Sequence, residues 1–335
     1  MKNLKKVLIL ALVLALAVSM FAACGNDEEE QPGDVQGGAD KTVYNVGLVQ
    51  FAPHPALDAA TDGFKAALEE KLGTDNVKFN YQNAAGEPST CPTIVNQFIS
   101  SGVDLIFANA TPALQAAVAG TVDIPIVATA ITSYEVALDE DDWANRTTGK
   151  NVTGTADLAP LAEQAAMFKE LLPDIENIGL LYCSGEPNSK YQVDVIAGEL
   201  AKLGYTTTMY TFSDSNDIAS VVTTACKNSD ALYIPTDNAA ASNTEIIANI
   251  ADPANVPIIA GEEGICEGCG IATLSISYYD IGHVAGEMAY EILVNGADPS
   301  TMEIAYADNL TKKYDAARIA KYGITPPADY VALGE

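Results

Sequence analysis

The feature that most constrains the fold is an alternation of strand-like and helix-like segments that runs its course and then starts again. It opens with V-Y-N-V-G-L-V-Q-F at 43–51, an apolar run with little interruption, as in a strand covered on both faces. Pro55 stands in the first turn of a helix with Leu57, Phe64 and Leu68 on one side. Residues 77–82 alternate as a strand, and 89–101 form a helix with Ile94, Val95, Phe98 and Ile99 apolar. A buried strand at 103–108, a short helix from Thr111-Pro112 to Ala119 and a strand at 124–130 follow. Residues 135–150 are irregular and acidic and hold the only tryptophan, Trp143; 152–154 is a short strand.

The pattern restarts at Asp157, expected to cap a helix carrying Leu161, Ala165, Phe168 and Leu172. Strands at 178–182, 205–212, 231–235, 256–260 and 271–277 then share the chain with helices at 188–203, 216–226 and 239–250. This predicts an α/β fold with two doubly wound parallel sheets, one per half, and a cleft between two lobes. A helix at 281–294 and a strand at 302–308 come after the second half, so the chain is expected to cross back through a hinge of more than one strand. The lobes are expected at 42–154 with 278–303, and at 155–277 with 304–335.

The N-terminus reads as an address. Lys2, Lys5 and Lys6 precede an apolar core at 7–21, and F-A-A-C at 21–24 resembles a lipobox in which Cys24 is lipidated and becomes residue one. The apolar run is short for a membrane span, and its flanks suit a signal peptide over 1–23. Residues 24–40 are acidic and glycine-rich, a disordered tether. Cleavage removes three lysines and no acid, taking the net charge from −28 to −31. That excludes a nucleic-acid partner and argues against a polyanionic ligand; the membrane is met only through the lipid.

Five cysteines remain after Cys24, an odd number, so at least one is free. Cys266-Glu267-Gly268-Cys269 is a CxxC in a Gly-rich loop ahead of a strand. It lacks the second ligand pair of a zinc site and the strand-then-helix setting of a redox site, which leaves a structural disulfide or two quiet thiols. No metal and no cofactor are expected.

Candidate site residues gather where strands end, the place where open α/β sheets bind ligands. Gln50 and the loop Phe51-Ala52-Pro53-His54 end the first strand, with Asp58 one turn into the helix. His54, one of only two histidines, is held between two prolines. Thr111 opens a helix after its strand and Thr129 ends another; Ser184, Asn188 and Ser189 play the corresponding part in the second half. Free backbone N–H groups and hydroxyls at those helix starts suit a carboxylate. Asp237, with Asn238 beside it, ends a strand and suits a ligand ammonium; capping the next helix is the equally weighted alternative. Glu262 follows the strand at 256–260 as a weaker candidate. The two arginines, Arg146 and Arg318, end no core strand, so a guanidinium clamp on a carboxylate is not expected.

No G-x-S-x-G, H-E-x-x-H, Walker A or G-x-G-x-x-G after a strand is present. A cleft without a nucleophile–base pair favours binding over turnover. G-L-V-Q-F-A-P-H-P-A-L-D at 47–58, A-T-P-A-L-Q at 110–115, G-K-N-V-T-G-T at 149–155, N-S-K at 188–190, P-T-D-N at 235–238 and D-I-G-H-V-A-G-E-M-A at 280–289 resemble the TrpX-type solute-binding lipoproteins of bacterial ABC importers. The resemblance implies a periplasmic-binding type I fold and an extracytoplasmic, lipid-anchored protein serving an ABC permease and ATPase. It also implies an amino acid ligand, aromatic or large apolar, whose side chain would lie against Phe51, Pro53 and His54. A binder of another solute (nucleoside, sugar or peptide) and a lipid-anchored hydrolase are the alternatives.

Overall fold

The computed structural model describes residues 43–140, 146–307 and 310–334. The signal peptide, the tether, Cys24 and Trp143 lie outside these residues. The first half supplies β1 (Tyr44–Gln50), α1 (Pro55–Leu72), β2 (Val77–Asn83), α2 (Cys91–Ser101), β3 (Leu105–Asn109), α3 (Thr111–Gly120), β4 (Ile126–Ile131), α4 (Tyr134–Leu138) and β5 (Val152–Ala156). The second supplies α5 (Leu161–Leu171), β6 (Asn177–Cys183), α6 (Pro187–Lys202), β7 (Thr206–Phe212), α7 (Ile218–Asn228), β8 (Ala231–Ile234), α8 (Asn238–Ala241), α9 (Thr244–Ala254), β9 (Ile258–Ala260), α10 (Glu263–Cys269) and β10 (Ala272–Ser275). Then come α11 (Tyr278–Asn295), β11 (Ala305–Tyr306), β12 (Thr311–Tyr314), α12 (Ala316–Lys321) and β13 (Tyr330–Ala332).

Each half builds its own sheet. The first runs β2-β1-β3-β4-β5-β11, parallel throughout; the second runs β7-β6-β8-β9-β10-β12-β13, parallel except where β10 meets β12. Both therefore reverse strand order once, between β1 and β3 and between β6 and β8, the switch point at which doubly wound folds receive ligands. The chain passes between sheets after β5, after β10 and after β11. Ala305 and Tyr306 pair with Thr155 and Ala156, so the last passage follows residue 306 rather than the expected 303.

Strand side chains that alternate across the first sheet bury both faces. Val46, Leu48, Leu105 and Phe107 pack under α1 and α11 with Phe64 and Leu68, while Val49, Ile106 and Ala108 pack under α2 and α3. Phe64 and Phe107 stack with centroids 3.9 Å apart. Each such fully buried side chain contributes roughly 1.5–3 kcal/mol. Helices α1 and α11 lie against each other through glycine: a methyl at Gly63 would stand 2.1 Å from the Tyr279 carbonyl oxygen, and one at Gly282 2.0 Å from that of Ala60.

Local capping decides where the sequence expectations shift. Ser133 accepts from the Val136 N–H and starts α4 inside the stretch expected to be irregular. Asp157 does not cap a helix; α5 begins after Pro160, and the Asp157 side chain turns inward. Glu262 accepts from the Gly264 and Ile265 N–H groups, so the CxxC segment is helix α10 rather than a loop. Cys266 and Cys269 are free and buried, and burial raises both thiols, that of Cys269 to about 12; they are the quiet thiols of the two alternatives.

Candidate functional site

The first lobe brings His54 to the cleft through a loop fixed by its own side chains. Gln50 donates to the Ala52 carbonyl (2.8 Å) and to Asp58 (2.6 Å), and accepts from the Thr61 hydroxyl (2.7 Å). Asn109 donates to the Leu57 carbonyl at 2.8 Å. His54 is the residue before α1, yet its ring makes no capping bond and is free to face the second lobe. Its Nε2 meets Asn238 Oδ1 at 3.1 Å, closing the cleft. The Asn238 amide donates to Glu186 Oε2 at 2.6 Å, which orients Oδ1 toward the ring and assigns the proton to Nε2. Burial lowers the His54 pKa, against the pull of the Asn238 bond and the Asp58 charge, so the ring is neutral and Nδ1 is an acceptor.

The second lobe contributes buried carboxylates whose oxygens are already engaged. Asp237 accepts from the Cys183 N–H (2.7 Å) and the Ala240 N–H (2.8 Å), joining the ends of β6 and β8 and capping α8. Glu186 accepts from the Asn238 N–H (3.1 Å) and the Ala239 N–H (2.8 Å). Burial raises the pKa of both; the Asp237 charge adds to the rise at Glu186, and the hydrogen bonds to Asp237 oppose its own. Glu262 is raised to about 7 by burial, its two N–H partners pulling the other way.

Between the lobes lies a cavity of about 10 Å³ lined by His54, Leu57, Thr132, Asp157, Asn188 and Tyr278, with Asp237, Asn238 and Glu262 completing the wall. That is about the room one water-sized group needs. Three of the lining atoms are buried with no hydrogen-bond partner: His54 Nδ1, Asp157 Oδ1 and Asn188 Oδ1. All three are acceptors. The Asn188 amide donates to Glu186 and the Thr236 carbonyl, both at 3.2 Å, which leaves its oxygen for the cavity. Asp157 takes the Tyr278 hydroxyl on Oδ2 at 3.0 Å and offers Oδ1. Burial raises its carboxyl to about 6, with the Tyr278 and Thr132 hydroxyls opposing. No lysine or arginine lines the cavity. A crevice of about 450 Å³ shares Glu262 and Tyr278 with it and opens beyond them, between Pro55 and Ala56 on one side and Ser275 to Asp280 on the other.

Of the residues singled out in the sequence, His54, Asn188, Asp237, Asn238 and Glu262 meet at this cavity. Gln50 and Asp58 brace the His54 loop. Phe51 is in the first lobe's core and Pro53 is exposed. Thr111 and Thr129 are buried without lining the cavity; Thr129 bonds the Thr155 hydroxyl at 2.8 Å. Ser184 is exposed and donates to the Phe212 carbonyl, and Ser189 donates to that of Thr236. Asp157, Thr132, Tyr278 and Glu186 were not anticipated. All four stand within four residues of an expected strand end, Thr132 after 124–130, Asp157 after 152–154, Glu186 after 178–182 and Tyr278 after 271–277, so position alone could have found them.

Two lobes wound alike, three chain passages between them and a closed polar cavity at both switch points define a substrate-binding protein of the periplasmic-binding type I architecture. The match of residues 45–331 to the ABC transporter substrate binding protein family shows that the chain belongs to that family. As such it is an extracytoplasmic protein. A tyrosine-binding protein of Clostridioides difficile (strain R20291) is 36% identical over 293 residues, covering 86% of this chain and 84% of the relative. The structure of an ABC domain in complex with L-Trp from Streptococcus pneumonia is 31% identical with a TM-score of 0.82, covering 86% of this chain and 97% of that one. A ligand-free, open substrate-binding protein with adhesive properties from Clostridium difficile is 34% identical but reaches 0.66, covering 87% and 99%. The higher score to the ligand-bound structure, at nearly the same identity, agrees with the His54–Asn238 contact that closes the cleft here.

Proposed function

We propose that the protein captures an aromatic amino acid by its free ammonium group and presents it to an ABC permease and ATPase, held at the membrane by a lipid on Cys24. The observation that carries the reading is the set of three orphaned acceptors around one cavity. An ammonium has three N–H donors and brings the positive charge that a wall of carboxylates and a neutral histidine lacks. A water donates only two hydrogens and would leave one acceptor unpaired, at about 1–3 kcal/mol. Asp157, rather than Asp237, is then the counter-ion, because the Asp237 oxygens each already take a backbone N–H. The aromatic class is supported by the tyrosine and L-Trp named for the two relatives. With the lobes this close the cavity fits the ammonium alone; the rest of the ligand requires them farther apart, a hinge movement suited to three connecting segments.

Calorimetry on the full-length protein in detergent, with L-tyrosine, L-tryptophan, L-phenylalanine and N-acetyl-L-tyrosine, tests this. Heat from at least one free aromatic amino acid and none from the acetylated one is expected. Silence from all three free amino acids removes the ligand class, and equal affinity for N-acetyl-L-tyrosine removes the role of the ammonium.

A further inference from the structure

We propose that Tyr278 is the positioning residue for the ligand's ammonium: its hydroxyl holds Asp157 so that Oδ1 points into the cavity, and it ties two of the three segments joining the lobes. The inference rests on the ammonium reading above.

Asp157 follows β5 on the first passage between lobes, and Tyr278 follows β10 on the second; 121 residues separate them in sequence. Their side chains meet at 3.0 Å, both buried. Each is fixed from behind. The Asp157 N–H donates to the Ile131 carbonyl at 3.2 Å. Tyr278 is the first residue of α11, whose start is capped by Ser277 accepting from the Asp280 N–H, and α11 is pressed against α1 at Gly63 and Gly282. The phenol therefore cannot follow a drifting carboxylate; the carboxylate is drawn to it. With Oδ2 taken, the one free oxygen is Oδ1, the orphan at the cavity wall.

The bond also acts on charge. A hydroxyl donating to the ionised form favours it, opposing the burial that raises the Asp157 carboxyl to about 6. The other groups facing Asp157 are the Thr132 hydroxyl, Tyr134, Glu262, Asp237 across the cavity and the neutral His54; none is a cation. The Tyr278 and Thr132 hydroxyls are the side-chain groups that hold Asp157 ionised. Without the phenol, Asp157 takes up a proton at a higher pH, and a protonated carboxyl no longer balances an ammonium.

The test compares Tyr278→Phe, which keeps the ring and its packing, with Asp157→Asn. Affinity for L-tyrosine and L-tryptophan is measured calorimetrically from pH 5 to 8.5 on the full-length protein in detergent. Tyr278→Phe should weaken binding about tenfold at pH 7.5. It should also move the acid-side midpoint of the affinity profile upward by about one pH unit. Glu262 and His54 titrate in both proteins, so the displacement between the profiles isolates Asp157. A Tyr278→Phe protein with unchanged affinity and midpoint, or with weaker binding and an unmoved midpoint, overturns the positioning role, the latter because the hydroxyl would then act on the ligand by a route other than the Asp157 carboxylate. In both cases a weakened Asp157→Asn leaves the ammonium reading standing. Wild-type affinity in Asp157→Asn overturns that reading, and this inference with it.

Discussion

The two lobes bring different liabilities to the same cleft. The first lobe stores strain in its backbone: Ala110, just past β3, has φ 84° and ψ 158°, a region nearly reserved for glycine, and Ala130 near the end of β4 has φ 54°. The second lobe stores buried carboxyls: Glu186, Asp237 and Glu262, every one answered by backbone N–H groups. Asp157 belongs to neither set. It lies on a passage between lobes, is as buried as the others, and has one oxygen unanswered. The lesson is that burial does not distinguish a ligand-facing acid from a scaffold acid; the count of satisfied oxygens does.

Reversing that assignment is the largest available effect. Asp157→Asn is expected to cost 2–5 kcal/mol of amino acid affinity while leaving the melting temperature near wild type. Asp237→Asn is expected to cost about 1–3 kcal/mol of folding stability, with binding by the remaining folded fraction little changed. Paired calorimetry and thermal melts read both, and the opposite pattern would return the ammonium to Asp237.

The second-lobe charges can be sharpened by pH. Glu262 titrates near 7 in the folded protein and near 4.3 when unfolded. Between those values the native state holds a proton that the unfolded chain has released, so stability falls as pH rises through the window, by up to about 3 kcal/mol. Asp157, raised to about 6, adds in the same direction over a narrower range. The ligand-free protein should melt higher at pH 5 than at pH 7.5, and Glu262→Gln should flatten that slope. An equal slope in the variant would assign it to the other raised carboxyls, Glu186, Asp237 and Asp157, or to the overall negative charge rather than to Glu262.

The smallest effect concerns the strained alanine. Ala110→Gly relieves about 1–3 kcal/mol of backbone strain and loses part of it to unfolded-chain entropy, for a net gain near 1 kcal/mol in chemical denaturation. A loss of stability would show that the lobe holds no strain there.

These contrasts explain what the sequence could tell. The strand–helix alternation was legible because periodicity and caps are local, and His54 was legible because two prolines flank it at a strand end. Asn188, Asp237, Asn238 and Glu262 were legible by position. Their division of labour was not, since an acid at a strand end looks the same whether two N–H groups fill it or none do. Asp157 was mistaken for a helix cap because helix-forming residues follow it; the partner that turns it inward, Tyr278, is 121 residues away. Whether an acceptor is left over is a property of the assembled cleft, and no window of sequence contains it.

The glycine contact between α1 and α11 has a consequence for size. The two helices run side by side in the same direction, Ala60 against Gly282 and Phe64 against Gly286. One starts beside His54 and the other at Tyr278. With their backbones in touch, neither can slide without the other, so the separation of their first residues is a fixed gauge carried wholly by one lobe. Whatever lies between His54 and Tyr278 has to fit that gauge, whatever the position of the second lobe.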